Sequence, residues 1–381
     1  MRIAFLAYRD IKNPSAVGGD FYLWELAKGL CRMGYQVIFV CNRFQGSKQA
    51  ELIDGVKVIR IKGLLTLPLK ILGYYIKNLK GRCDIIVEEA IGGFRPPFFA
   101  GVYVKEPLIA VWHQKHDKIF HEQYPSLIAF LLSLLEVFLA RFYQNDIIIT
   151  PSKGSKRKLL ELGFKHENVK VVYDGVGEIF FNARSDKKRE NIIVCLGKLR
   201  RYKRFDHAIK AFKYFIEHEK VNCKLIIVGK LSEMDRYYTE ELRKLVDKLG
   251  IKDYVEFKFN ISEKEKLELL EKSLVLLQPS PVEGFSIVVA EANICGTPVV
   301  VSSGVPDDVV IDGYNGFRYK FGDLEALARA IGKLLKDSGI WNKMSKNAHE
   351  WAKQFTWHRS VITFSKVLEQ IRPINDGQRD G

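Results

Sequence analysis

Short runs of valine, isoleucine and leucine alternate along this chain with longer stretches in which apolar residues recur at helical spacing. In the first half the runs Arg2–Tyr8, Gln36–Asn42, Val56–Lys62, Asp84–Glu89, Leu108–His113, Asp146–Ser152 and Val169–Gly175 predict strands, with a helix from about Phe21 to Met33. Their apolar positions are consecutive rather than alternate, as expected of strands covered on both faces. A charged, turn-rich stretch, Asn182–Asn191, interrupts the pattern and is the candidate linker. The alternation then restarts. Strands are predicted at Asn191–Gly197, Cys223–Gly229, Tyr254–Phe259, Ser273–Gln278, Val299–Ser302 and Gly316–Tyr319. Helices are predicted at about Arg204–Lys220 and Met234–Leu249, and again toward Ile371. The succession predicts an α/β protein of two doubly wound parallel sheets facing across a cleft, with ligands at the carboxyl ends of the strands.

Two segments fit this plan less simply. Ser126–Tyr143 is almost wholly apolar, broken by Glu136 and Arg141, and is just long enough to span a bilayer. Its charges and the regular sheet pattern on either side favour a buried helix, with a helix lying in the membrane interface as the alternative. Leu67–Arg82 reads as a basic helix with Leu, Ile and Tyr on one side, expected to cover a sheet. The N-terminal apolar run is a seven-residue strand followed at once by polar residues, which is not the pattern of a signal peptide.

A length of 381 residues with 47% apolar residues suits two cores rather than one. The formal net charge of +15 favours anionic partners: phosphorylated substrates, an anionic membrane surface or nucleic acid. The six cysteines form no Cys-x-x-Cys pair and sit among apolar neighbours, so reduced, buried thiols in the cytosol are expected.

Candidate chemistry concentrates at three turns between a strand and a helix. Gly18-Gly19-Asp20 opens the first helix, where two glycines let a ligand approach the backbone; ordinary helix entry explains the pair equally well. The Gly-x-Gly-x-x-Gly spacing of dinucleotide dehydrogenases is absent. The second turn, Gly197–Asp206, carries Lys198, Arg200, Arg201, Lys203 and Arg204. A solvated cluster is the plain reading of such a run, but its place at a strand's carboxyl end favours a diphosphate. The third is Glu283-Gly284-Phe285-Ser286, expected to open a helix with Glu283 just outside and Glu291 about two turns within. The bland alternative is a crossover helix with two satisfied carboxylates. His113 closes a strand at the cleft edge, where structural and functional roles weigh equally. No third ligand accompanies His113 and His116, so no metal site is expected.

Taken in order, these pieces resemble the retaining glycosyltransferases of family four, which have the GT-B fold of two Rossmann-like domains. The resemblance runs over nearly the whole chain: Gly18-Gly19, His113, Thr150–Ser152, Val171–Val176, Gly197 to Lys203, Leu225–Gly229, the Glu283–Glu291 spacing, Val305–Phe317 and Phe355–Val361. It implies a nucleotide-sugar donor, UDP- or GDP-type, held mainly by the second domain, with no metal required. Lys198 and Lys203 would neutralise the diphosphate, and Gly19 would approach the same phosphates. Glu291 would accept from the ribose. Glu283 with the N–H groups of Gly284, Phe285 and Ser286 would hold the sugar or its phosphate, and His113 would line the sugar site. Departures are Lys198 where arginine is common, Phe259 and Asn260 near a usual glycine, Lys230 where an acidic or small residue is common, and Asp307 where glutamate is frequent.

The expected division is residues 1–178 on the acceptor side, 179–355 on the donor side, and 356–381 as a helix crossing back to the first domain plus a tail. The expected activity is metal-independent hexosyl transfer to a glycan or lipid-linked acceptor, with retention. The expected setting is the cytoplasm, peripherally on the inner membrane face, with an anionic membrane surface as a further partner and no nucleic acid. The rivals are a nucleotide-sugar epimerase of the same fold and a noncatalytic protein binding anionic lipid or nucleic acid.

Overall fold

The computed structural model describes residues 1–90, 97–184, 188–219, 222–230 and 233–371; the tail from residue 372 and residues 185–187 of the charged stretch lie outside them. The first sheet contains β1 (Arg2–Leu6), β2 (Gln36–Asn42), β3 (Ala50–Ile53), β4 (Val56–Ile61), β5 (Ile85–Glu89), β6 (Leu108–Val111), β7 (Ile147–Thr150) and β8 (Val169–Val171). Its order is β3-β4-β2-β1-β5-β6-β7-β8. All neighbours are parallel except β3 and β4. The second sheet contains β9 (Ile192–Leu196), β10 (Lys224–Gly229), β11 (Val255–Phe259), β12 (Val275–Gln278), β13 (Val299–Ser302) and β14 (Gly316–Tyr319). It is wholly parallel, in the order β11-β10-β9-β12-β13-β14.

The strands are apolar on consecutive positions because both faces are covered. In β1, Ile3 and Phe5 enter one core while Ala4 and Leu6 enter the opposite one. In β9, Ile193 and Cys195 divide from Val194 and Leu196 in the same way. In each sheet the strand order reverses beside the first strand, between β1 and β5 and between β9 and β12. There the loops leave in opposite directions and a crevice opens at the carboxyl ends.

The charged stretch Asn182–Asn191 is not the linker that its composition suggests. Phe180 already belongs to the second domain's core. The Arg189 guanidinium donates to the carbonyls of Leu270, Ser273 and Cys295 in that domain. A charged run is held here by carbonyl acceptors that only the folded chain assembles. The chain crosses earlier, where Val176 bridges Thr356 and the Val176 N–H donates to the Phe355 carbonyl at 2.9 Å. The outward and return crossings thus run side by side. Beyond the second, the helix Trp357–Gln370 packs on the first domain, with Val361, Phe364, Val367 and Leu368 in a core with Leu23, Leu26 and Phe5.

The helix Ser126–Ala140 also departs from expectation. It lies on the first sheet, but only Ala129, Glu136, Leu139 and Ala140 are buried, and most of its large apolar side chains face outward. Hydropathy alone favours a buried helix; the order of small and large residues around the helix decides otherwise.

Candidate functional site

The site lies where the two strand reversals face each other. From the first domain comes the helix Gly18–Arg32, whose N-cap Val17 makes no side-chain cap. The first-turn N–H groups therefore have no hydroxyl or carboxylate cap from that residue. Gly19 sits against His113: a Cβ at Gly19 would lie 2.9 Å from the His113 Nε2. Here glycine is required by the close approach of an imidazole. Gly18 faces the other domain, its Cβ position 3.7 Å from the Ile287 Cδ1. Asp20, one residue on, accepts from the Val17 N–H at 2.7 Å and pairs with Arg9 at 3.1 Å. Burial pushes its carboxyl up to about 6, against the pull of Arg9, the Val17 N–H and Lys198. Lys198 of the second domain is thus within electrostatic range of the first domain's helix start.

His113 follows β6, its ring edge-on to Tyr22 with centroids 5.3 Å apart. Its Nε2 is buried without a hydrogen-bond partner among the protein atoms. Burial, helped by repulsion from His116, pushes the imidazole down to about 4, so it is neutral at physiological pH.

From the second domain, Gly197 follows β9 with φ 153°, a backbone setting that favours glycine. The turn after it brings the Lys203 Nζ within 2.6 Å of the Glu283 Oε1. Burial opposes the lysine's charge, but Glu283 outweighs it, and the pKa of Lys203 lies above its usual value. Gln278, the last residue of β12, donates to the same Glu283 oxygen at 2.6 Å. The Glu283 N–H donates to the Gly304 carbonyl at 3.1 Å. Glu283 is therefore held in one position by three contacts from three segments.

The helix after this turn starts later than its sequence suggests. It spans Ile287–Ile294, with Ser286 at the N-cap in a left-handed conformation, φ 79°. Glu291 accordingly lies one turn inside, not two. The displaced start follows from Phe285, which is drawn into the core between Tyr173 and Phe355. Its side chain is buried there, so only its backbone faces the site. Gly284 is crowded too: a Cβ would lie 2.7 Å from the His113 carbonyl. Its own carbonyl accepts from the hydroxyls of Ser152, 2.5 Å, and Ser155, 2.8 Å, of the first domain. The Ser286 Oγ is buried without a partner among the described residues and does not cap the helix.

Glu291 forms a second centre. Its Oε1 accepts from the Lys266 Nζ at 2.8 Å, while its Oε2 is buried without a partner among the described residues. Burial raises its pKa, and Lys266 works in the opposite direction. Lys266 also lies over the Phe180 ring at 4.9 Å. Nothing in the sequence singles out Lys266 or Gln278. Lys266 stands in a run of alternating glutamates and lysines where any lysine looks solvated.

The remaining basic residues of the second turn have other partners. Arg201 pairs with Glu241. Arg204, left-handed at φ 52°, pairs with Asp206 at 3.1 Å and, across the cleft, with Glu122 at 2.9 Å. Among the described residues no group of three His, Cys, Asp or Glu side chains is placed to hold a metal ion. A groove of about 640 Å³ lies elsewhere, at the edge strand β8 and the last helix, and none of the expected donor-holding residues lines it.

What converges is an array built for negative charge. Two helix starts without side-chain caps face each other, so their positive ends point into one gap. Lys203 is paired with Glu283 beside them, with Lys198 in electrostatic range of Asp20. A neutral imidazole and a fixed carboxylate supply hydrogen-bonding groups on a less charged side.

Comparisons with known proteins agree with this geometry. The family model described as Glycosyl transferases group 1 matches residues 178–351, and that described as Glycosyltransferase Family 4 matches residues 17–177. An uncharacterized glycosyltransferase of Methanocaldococcus jannaschii is 26% identical over 68% of this chain and 69% of its own length. A D-inositol 3-phosphate glycosyltransferase of Streptomyces bingchenggensis is 26% identical over 93% of this chain and 85% of its own. The chain spans only 60% and 51% of two other curated relatives that it matches. Among solved structures, sucrose-phosphate synthase from Thermosynechococcus elongatus aligns with a TM-score of 0.81 at 18% identity, covering 97% of this chain and 98% of that one. Anabaena HepE in complex with UDP-glucose aligns with a TM-score of 0.73 at 19% identity, covering 97% and 100%.

Proposed function

The chain belongs to glycosyltransferase family 4, with a group 1 second domain, and is a transferase with the GT-B fold; from that premise we propose that it moves a hexose from a UDP- or GDP-sugar to a glycan or lipid-linked acceptor, with retention and without a metal. The working place under this reading is the cytoplasm, at the inner face of the membrane. The observation that carries it is the Lys203–Glu283 pair at the gap where the starts of two helices, at Gly18 and Ile287, meet from the two domains, with Lys198 in electrostatic range of Asp20.

Those groups suit a leaving diphosphate. As the anomeric C–O bond breaks, negative charge grows on the phosphate oxygen that departs. Cations and N–H groups already in place stabilise that charge without rearranging at the moment of reaction. On the same face, the acceptor hydroxyl adds to the anomeric carbon while its proton passes to a leaving-phosphate oxygen. Proton and electrons balance within donor and acceptor, and no enzyme base is needed. The unpartnered Glu291 Oε2 is available for a ribose hydroxyl. Glu283, held by Lys203 and Gln278, faces the sugar, and neutral His113 adds a hydrogen bond without adding charge. UDP and UDP-glucose, bound to the structural neighbour HepE of Anabaena, support a uridine donor as the first to try.

The test is transfer and donor hydrolysis over a panel of sugar nucleotides, with UDP and GDP compared by thermal shift. The double substitution Lys203→Ala with Glu283→Ala removes both halves of the pair, so no unpaired buried charge is left behind. It should lower kcat/KM by about a hundredfold or more. Unchanged turnover would refute the site assignment.

A further inference from the structure

The helix Ser126–Ala140 has its polarity reversed. The stripe toward the protein is mostly small or polar: Ala129, Glu136 and Ala140 are buried there with one large residue, Leu139, and Ser133 donates to the Asp117 Oδ1 at 2.8 Å. The outward side carries Leu127, Phe130, Leu131, Leu134, Leu135 and Phe138, each between 45 and 71% exposed. A helix facing water shows the opposite arrangement. Continued to Tyr143 it is 18 residues, long and apolar enough to cross a membrane. It is nevertheless fastened along the sheet. Glu136 accepts from the His116 N–H at 3.0 Å, meets the His116 Nδ1 at 2.9 Å, and accepts from the Trp112 Nε1 at 3.4 Å. Crossing a bilayer would tear that carboxylate from its partners.

The exposed apolar surface continues onto the neighbouring helices of the same sheet face. Leu67, Ile71, Tyr75 and Leu79 share a core with Leu139 and Tyr143, and Tyr75 meets Tyr103 at 5.4 Å. Outward from these, Leu69, Ile76 and Val102 are 73, 57 and 59% exposed. Lys70, Lys77, Lys80, Arg82, Lys105 and Arg141 are exposed on the same elements and their connecting turns. From Lys62 to Arg82 the chain has five cations and no carboxylate.

We propose that this face docks on an anionic bilayer, with Ser126–Ala140 lying in the interface. The leucines and phenylalanines enter among the acyl chains near the headgroups, and the lysines and arginines meet lipid phosphates. The cations decide for lipid over a second copy of this chain, because a two-fold contact would set like charges against each other. Contiguous exposed apolar surface of this kind marks an interaction site rather than ordinary exposure. The consequence for the reaction rests on the lipid-linked acceptor proposed above. Glu136 ties the docked helix to His116, three residues from His113. Docking therefore sets the acceptor edge of the cleft against the surface that carries the acceptor.

The test is flotation of the full chain with vesicles of phosphatidylcholine, with and without phosphatidylglycerol, at low and high salt. Binding is expected on the anionic vesicles and should weaken with salt. Leu131→Glu with Phe138→Glu should lower the bound fraction by about tenfold or more. Lys77→Glu with Lys80→Glu should do the same on anionic vesicles only. Melting temperatures and the shift produced by UDP should stay at the parent values in both variants, since none of these residues lines the cleft. Two results would overturn the proposal. One is a chain that stays in solution with both vesicle types. The other is a dimer by light scattering that Leu131→Glu with Phe138→Glu splits. Vesicle binding that persists while no sugar nucleotide is bound or turned over would count against the transferase site alone.

Discussion

Glu88 ends up inside the first sheet, accepting the Tyr143 hydroxyl at 3.0 Å, and burial pushes its carboxyl up to about 8. Burial does the same to Glu89 and Asp174, each to about 8. A carboxyl whose folded pKa exceeds its unfolded one favours folding below the unfolded value, and that contribution is lost as pH rises through the folded value. His113 and His207, both pushed down to about 4 by burial, act oppositely, costing stability as pH falls below about 6.5. Above that pH these carboxyls dominate among the described residues, and buried thiols such as Cys83, pushed up to about 11, act in the same direction, so the protein should melt lower at pH 8.5 than at pH 6.5. Glu88→Gln keeps an acceptor for Tyr143 and should shrink that drop by about a third; thermal melts across the window decide it. At this scale the sequence is uneven. Lys203 and Glu283 are legible because turns after parallel strands collect ligand groups. Lys266 is not, because a buried lysine and a solvated one have the same letter.

Gly29, in the middle of the helix Gly18–Arg32, shows what an element demands of its neighbour. A Cβ there would lie 2.2 Å from the Val361 Cγ2 of the helix Trp357–Gln370. Gly29→Ala gains about 1 kcal/mol of helix propensity, but the collision costs about 1–3 kcal/mol. A lowered melting temperature is expected, with recovery when Val361→Ala is added; no change in the single variant would show that the last helix shifts freely. Strands and helices were largely legible, but the antiparallel β3 was not. Its hairpin signal was nevertheless present: Asp54 and Gly55, both at positive φ, join it to β4. Four residues, Ala-Glu-Leu-Ile, are too short a run for periodicity to register.

Across the whole molecule, the domains are clasped by groups from both sides. Asp308 of the second domain accepts from the N–H groups of Lys153 and Gly154 at 2.7 and 3.0 Å, and so caps a helix of the first. Tyr173, on the crossing segment, donates to the same carboxylate at 2.9 Å. Arg204 with Glu122, and Lys230 with the Pro14 carbonyl, add further ties. These ties bear on how far the domains can part, the motion by which enzymes of two domains admit and enclose a substrate. Asp308→Ala removes the cap, worth about 1 kcal/mol, and should give a larger radius of gyration in small-angle scattering without nucleotide, contracting when UDP is added. An unchanged radius would mean that the remaining contacts hold the cleft shut.

The sequence by itself determined the two largely parallel sheets and the strand-to-helix turns that hold the candidate site residues. Both are local consequences: strand patterning reports coverage on two faces, and turns at strand ends are written in glycine and charge. Tertiary structure alone decided which lysine meets which glutamate, that Phe285 turns into the core, that Ser152 and Ser155 hold Gly284, and that the most apolar helix presents its leucines outward. Each of these depends on residues far apart in the chain arriving at one place, and no local pattern carries that distance.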